Sequence, residues 1–198
     1  MKTEPTAAIS RPHLDLFPFG DVEERILAVM AGHLQTIIGL NVMIQAAEHK
    51  PEYAFSERRG QYEAGKILLR LAELENGAAF RLGVVDVDLY LPILTHIFGE
   101  SQLGGSAAIV SVYRLRDASM DRFLARTAKV ALHEVGHLLG IVHCIDTRCL
   151  MRFANRVEIL DEIPMRFCKA CSYEVARRLR YRFLDVSNDD GVAKSQAL

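Results

Sequence analysis

Residues 133–151, HEVGHLLGIVHCIDTRCLM, constrain this chain more than any other stretch. His133-Glu134-Val135-Gly136-His137 is an H-E-x-x-H run, and Gly140 and His143 follow at fixed offsets. On an α-helix, residues four apart share a face, so His133 and His137 can address one ion. Glu134 is offset by one position and can reach a water on that ion without being a ligand. Glycine tolerates the left-handed backbone that reverses a chain, so the helix is expected to end at Gly140. The turn then brings His143 back as a third ligand. Three histidines with an open fourth position describe a catalytic zinc site rather than a closed structural one. An H-E-x-x-H run arises by chance roughly once in a hundred chains of this length. Gly140 and His143 lower that to roughly a few in 100,000, so a surface helix with two incidental histidines is set aside.

All four cysteines fall between 144 and 171, as a C-x4-C pair (Cys144, Cys149) and a C-x2-C pair (Cys168, Cys171). Two explanations compete: two disulfides with three possible pairings, or four thiolates on one structural zinc. The N-terminus, MKTEPTAAISRPHLD, shows no secretory signal, so a reducing cytoplasm is expected and zinc is favoured there. The second pair precedes a helical pattern whose N-terminal dipole favours thiolates. A redox C-x-x-C would need a thioredoxin-like strand before it, and none is visible. If residues 141–144 are extended, neighbouring side chains point opposite ways. His143 then faces one zinc and Cys144 the other.

HExxHxxGxxH followed by a methionine resembles the metzincin zinc proteases. Cys144, Cys149-Leu150-Met151 and Cys168-Lys169-Ala170-Cys171 are similar to the archaemetzincin branch in particular. The resemblance covers residues 133–171 by motif and the chain by length and layout. The 16 residues between Met151 and Cys168 make a slightly shorter gap than is usual in that family, a difference a loop absorbs. The resemblance implies an α/β (α+β) metzincin-like fold: a mixed, partly parallel twisted sheet with an antiparallel edge strand, packed on two or three helices. It also implies two subdomains. Residues 1–143 would hold the sheet and the active-site helix, and residues 144–198 a small lobe with the four-cysteine zinc site and a C-terminal helix. Met151 would be the methionine packed beneath the three histidines. Met165 is the substitute, and generic core filling is the plain alternative. In metzincins the strand before the active-site helix is an antiparallel edge that holds extended substrate. By resemblance that strand is Ala107, Ala108, Ile109, Val110 and Ser111. An ordinary core strand is the equal alternative.

Periodicity supplies the rest. Residues 1–12 read as a loose arm and residues 14–19 as a strand closed by Gly20. Asp21 and Glu24 form a capping-box pattern for a helix through Ile26, Met30, Leu34 and Ile37 to Gly39. A short strand follows over 41–46, a loop over 47–60, and a helix from Gln61 to Asn76. The alternation of residues 82–90 predicts one strand, with Asp86 and Asp88 either ligating a metal or, as weighs more, on a covered polar face. This strand–helix order argues a partly parallel sheet with right-handed crossovers. Residues 91–103 read as a loop in which His96 has no partner motif. Asp117 or Ser119 caps the long helix that carries the motif. Residues 152–167 connect to a C-terminal helix from Cys168 to about Phe183, whose arginines read as a solvated face. Residues 185–198 read as frayed.

With 198 residues, half of them apolar and a quarter charged, the chain can bury a sizeable core. A net charge of −1 gives no basic excess for nucleic acid or anionic lipid, and no apolar run approaches the ~20 residues of a membrane span. A monomer acting on a peptide or protein is expected. The residues thus point to a metallopeptidase with two zinc ions, hydrolysing peptide bonds with a zinc-bound water that Glu134 activates. The alternative is a catalytically silent or latent zinc-binding regulatory protein with the same shell, for which an intact Glu134 has no use.

Overall fold

The computed structural model of the protein describes residues 13–74 and 77–183. The expected N-terminal arm, the helix end at Asn76 and the frayed tail lie outside the described residues. In chain order the elements are β1 (His13–Phe19), α1 (Glu24–His33), β2 (Asn41–Ile44), β3 (Phe55–Ser56), β4 (Gln61–Glu63), α2 (Ala64–Ala72), β5 (Phe80–Val85), β6 (Leu89–Leu91), β7 (Leu94–Ile97), β8 (Gly99–Ser101), β9 (Ala107–Ser111), α3 (Met120–Leu138), α4 (Val157–Glu162) and α5 (Lys169–Phe183).

Alternation along three strands builds two apolar faces. Leu14 and Leu16 of β1, Leu82 and Val84 of β5, and Ala108 and Val110 of β9 join α1 and α3 in one cluster. The intervening Phe17, Phe19, Val85, Ala107 and Ile109 join α2 in another. A strand with both faces covered reads as a continuous apolar run, and β9 is buried throughout. The five-stranded sheet has the order β2-β1-β5-β9-β8. Its first four strands are parallel, and β8 closes the edge antiparallel to β9. The fold is therefore mixed α/β with an antiparallel edge strand, as expected, but residues 107–111 are not that edge. They pair on both sides, with β5 and β8, and are fully enclosed, so the expectation that Ala107 to Ser111 hold substrate is corrected.

A second sheet, β3-β4-β6-β7, accounts for most other departures. The strand expected over 82–90 breaks after Val85, because Asp86 and Asp88 turn the chain there. Arg114 clasps both oxygens of Asp88 at 2.5 and 2.6 Å, and Arg116 bonds Asp86. The two aspartates are thus held by arginines rather than set beside a metal cluster. Gln61, expected in a helix, is a strand residue, because its side chain bonds Asp88 and the Thr95 carbonyl. The helix starts at Ala64. Residues 91–103, expected as a loop, carry β7 and β8, and the segments 47–60 and 152–167 contain β3 and α4.

The helix ends are closed locally. α1 runs into a turn of π-helix, Leu34–Ile38, which Gly39 closes at φ 86°. Asp21 makes no cap: Glu23 precedes the first turn, without a side-chain bond. Ser119 caps α3 by accepting from the Arg122 N–H, and Asp117 accepts from the Ser119 N–H at 2.9 Å. Leu150, Met151, Leu160, Ile163, Phe167 and Val175 pack into the same cluster as α1 and α3, so the metal-rich C-terminal segment shares the main core. Among the described residues no helix is long and apolar enough to cross a membrane.

Buried Arg126 clamps α4 to α3. Its guanidinium bonds both oxygens of Asp161, at 2.8 and 2.6 Å, and the carbonyls of Leu115 and Arg116. The Arg126 hydrogen bonds hold the Asp161 carboxyl below its ordinary value of 3.8. A carboxylate depressed in the folded state contributes stability that is present above its unfolded pKa and is lost as pH falls through the folded one. Asp161→Asn should therefore cost roughly 1.5–3 kcal/mol near neutrality, the range for a hydrogen bond to a charged group. The gap from the parent protein should close below about pH 4, as read by urea unfolding across pH.

Candidate metal centres

Two backbone carbonyls aim the first two histidines. His133 Nδ1 lies 2.7 Å from the Leu150 carbonyl oxygen, and His137 Nδ1 lies 2.7 Å from that of Ile141. A carbonyl only accepts, so each Nδ1 carries the proton and each Nε2 is left as a bare lone pair. The two Nε2 atoms then face each other at 3.0 Å with no proton between them. Such a contact is repulsive unless a cation lies near both. The His143 ring stands 5.2 and 4.9 Å from those of His133 and His137. One ligand atom from each of the three lies within 4.8 Å of the others, which fits a single metal ion. Burial holds the imidazoles below their ordinary pKa, His133 at about 4, so all three are neutral near pH 7.

The chain reaches this arrangement by a tight return. Gly140 takes φ 81°, and the N–H groups of Gly140 and Ile141 bond the carbonyls of His137 and Gly136. Arg182 of α5 donates to the carbonyls of Leu138, Gly104 and Gly105, so one arginine expected on a solvated face closes the end of α3. Met151 is fully buried beneath α3. A Cβ added at Gly136 would lie 2.5 Å from its sulfur, so only glycine lets the methionine pack this close to α3. Met165 is only partly buried, against the same cluster.

Glu134 is buried beside the triad, and Ser101 Oγ donates to its Oε2 at 2.8 Å. Burial pushes its carboxyl up to about 8 and the neighbouring Glu100 carboxylate adds to this, while the Ser101 bond pulls down. The carboxylate lies flat against β8, where a Cβ at Gly99 would meet it at 2.7 Å. Gly99 and Ser101 thus shape the site and were not anticipated. They lie in a stretch without a local motif, and only the sheet brings them to Glu134. A cleft of about 530 Å³ opens over the triad between β8 and the segment 153–163. His96 lines this cleft outside the triad.

The cysteines form a second centre behind the first. All four are free thiols, with sulfurs within 4.8 Å of one another. Cys144 and Cys168 are 3.8 Å apart, matching the about 3.8 Å between tetrahedral ligands at a Zn–S distance of about 2.3 Å. Cys149 Sγ accepts from the N–H groups of Met151 and Cys168, and Cys168 Sγ accepts from that of Cys171. Backbone donors of this kind favour thiolate, and the Cys171 N–H is the main cause of the lowered Cys168 pKa. Burial raises Cys149 and Cys171, which a metal would offset. The donor set fits zinc, and the disulfide alternative finds no bonded pair.

Comparison with known proteins agrees with this geometry. The profile of peptidase family M54 matches residues 19–177. The archaemetzincin of Archaeoglobus fulgidus is 34% identical over 160 residues, covering 81% of this chain and 94% of the relative. That of Methanocaldococcus jannaschii is 35% identical, covering 78% and 87%. Among solved structures, the archaemetzincin of Methanopyrus kandleri superposes with a TM-score of 0.81 at 30% identity, over 88% of this chain and 99% of that one. The A. fulgidus crystal structure, complexed with malonate, gives 0.74 at 32%, over 81% and 99%.

The contact of Met151 with Gly136 has a direct test. Gly136→Ala forces a methyl into the methionine, an overpacking that should cost about 1–3 kcal/mol. Thermal unfolding of the metal-loaded protein reads this as a lowered midpoint.

Proposed function

Within peptidase family M54, to which this chain belongs as a zinc metallopeptidase, we propose that Glu134 is the general base and acid of peptide-bond hydrolysis. His133, His137 and His143 would hold the catalytic zinc, and Cys144, Cys149, Cys168 and Cys171 a second, structural one. A zinc ion at the histidines supplies a polarised water and a positive charge for the carbonyl oxygen. The observation that carries this reading is Glu134 itself, a carboxylate on the cleft wall one residue from a metal ligand. Ser101 occupies its Oε2, so Oε1 is the oxygen left to take a proton from the attacking water. The same oxygen returns that proton to the leaving amine. Burial pushes the Glu134 carboxyl up, and the positive charge of a zinc ion held by the histidines would pull it back toward the carboxylate that accepts the proton.

The sheet edge along the cleft is β8, whose outer side has no strand partner among the described residues of its sheet. An extended peptide laid against β8 would continue the sheet and present its carbonyl to the histidines. The reading includes a reducing, cytoplasmic setting, where four thiols stay free for metal. It also places the subdomain boundary after His143, where the chain passes from one centre to the other.

Glu134→Ala should keep both metals and lose at least about a hundredfold in turnover, the lower end of general acid–base assistance. Cleavage of a mixed peptide library, followed by mass spectrometry beside metal analysis, measures both; turnover retained in the variant would overturn the role. His137→Ala should drop the zinc content by one ion per chain while the cysteine-bound ion remains. Loss of both together would argue against two separate centres.

A further inference from the structure

We propose that Lys129 makes the cleft wall beside the histidines an anion site, which takes a carboxylate carried by the peptide residue next to the cleaved bond. This rests on the peptidase reading above and extends it to the class of substrate. Lys129 lies four residues before His133 on α3, hence on the same helical face and roughly 6 Å away along the axis. It lines the cleft, yet its residue exposure is only 9%. It is the one lysine or arginine among the cleft-lining residues.

Its ammonium is under-partnered. Of three N–H donors, one goes to the Leu160 carbonyl oxygen at 2.6 Å. Among the described residues no carboxylate lies within ion-pair distance. Asp161, whose charge does reach the ammonium, gives both oxygens to Arg126. Burial of a cation with one neutral acceptor is costly, and burial lowers the Lys129 pKa. Capping the end of six-residue α4 does not require a charge, since any neutral donor of that length would serve. Val130, Ala154, Leu160 and Ile163 give this part of the cleft lining an apolar character, which strengthens an ion pair formed there. The other charged groups of the lining, Glu100 and Glu134, are on or against β8. An incoming carboxylate would give the ammonium the charge-assisted bonds it lacks.

Two sources supply that chemistry, an aspartate or glutamate side chain within a peptide and the α-carboxylate at a peptide's end. Calorimetry on zinc-loaded Glu134→Ala protein, which holds peptides uncut, separates them. One pair of probes is a capped pentapeptide with central glutamate and its glutamine twin. The other is a neutral tripeptide with a free C-terminus and its amide. In at least one pair the charged member should bind at least about tenfold tighter, as expected for a charge-assisted bond. Lys129→Gln, which keeps a donor for Leu160, should shrink that ratio to within about twofold, and Lys129→Arg should retain most of it. The pair that responds identifies the source. Equal affinity within both pairs, including no measurable binding, overturns the proposal. So does a ratio that survives Lys129→Gln, because the carboxylate would then be sitting on the metal. If the parent protein cuts no peptide while the Lys129-dependent ratio persists, the anion site stands and the peptidase reading falls instead.

Discussion

The hydrogen bonds from His133 and His137 to the carbonyls of Leu150 and Ile141 are the constraint on which the rest of the structure turns. They fix the tautomer of each ring and leave two lone pairs facing one point. Both acceptors lie in the segment just after α3, so that segment must fold back for the histidines to be aimed at all. Gly140 permits the turn, and Met151 anchors the far end beneath Gly136. The main core holds the frame rigid, because α3 is packed against α1, the sheet and α4 together. A catalytic ion needs this rigidity, since ligands that wander lose both affinity and geometry.

The cysteine cluster belongs to the same frame. Cys144 follows His143 directly, and Cys149 precedes Leu150, whose carbonyl orients His133. Any ion drawing the four sulfurs together also sets the position of that carbonyl. A metal ion at the four cysteines would therefore act on one at the three histidines through backbone, without sharing a ligand.

The motif was legible because its spacing follows from helical geometry alone. Two histidines four apart and a glycine that must turn leave few alternatives. The parallel sheet was legible in outline from alternation in β1, β5 and β9. Three things were not. Resemblance names the strand before the helix as the edge, and the equal reading of residues 107–111 as a core strand is the one the structure has, while β8 is too short to show a period. The break at Asp86–Asp88 was hidden, since an arginine thirty residues away decides whether an aspartate turns the chain or lies on a face. Ser101 and Gly99 carry no local signal, and the i,i+4 spacing of Lys129 to His133 shows a shared face without showing a cleft. Only tertiary packing brings Gly99 and Ser101 to Glu134, and only the return of the chain through Leu160 turns the helical position of Lys129 into a cleft wall.

The stretch from Gly140 to Met151 is pinned at both ends and at several points between, by Ile141, His143, Cys144, Cys149 and Leu150. A residue inserted there would shift a ligand, an orienting carbonyl or the buried methionine, so its length is as fixed as its composition. The segment from 152 to 167 carries no candidate ligand, and between its core anchors Leu160, Ile163 and Phe167 its α4 forms one bank of the cleft. Length changes along a lineage can therefore gather on that bank. A change of length on that bank would reshape the cleft while leaving every candidate ligand and both orienting carbonyls in place.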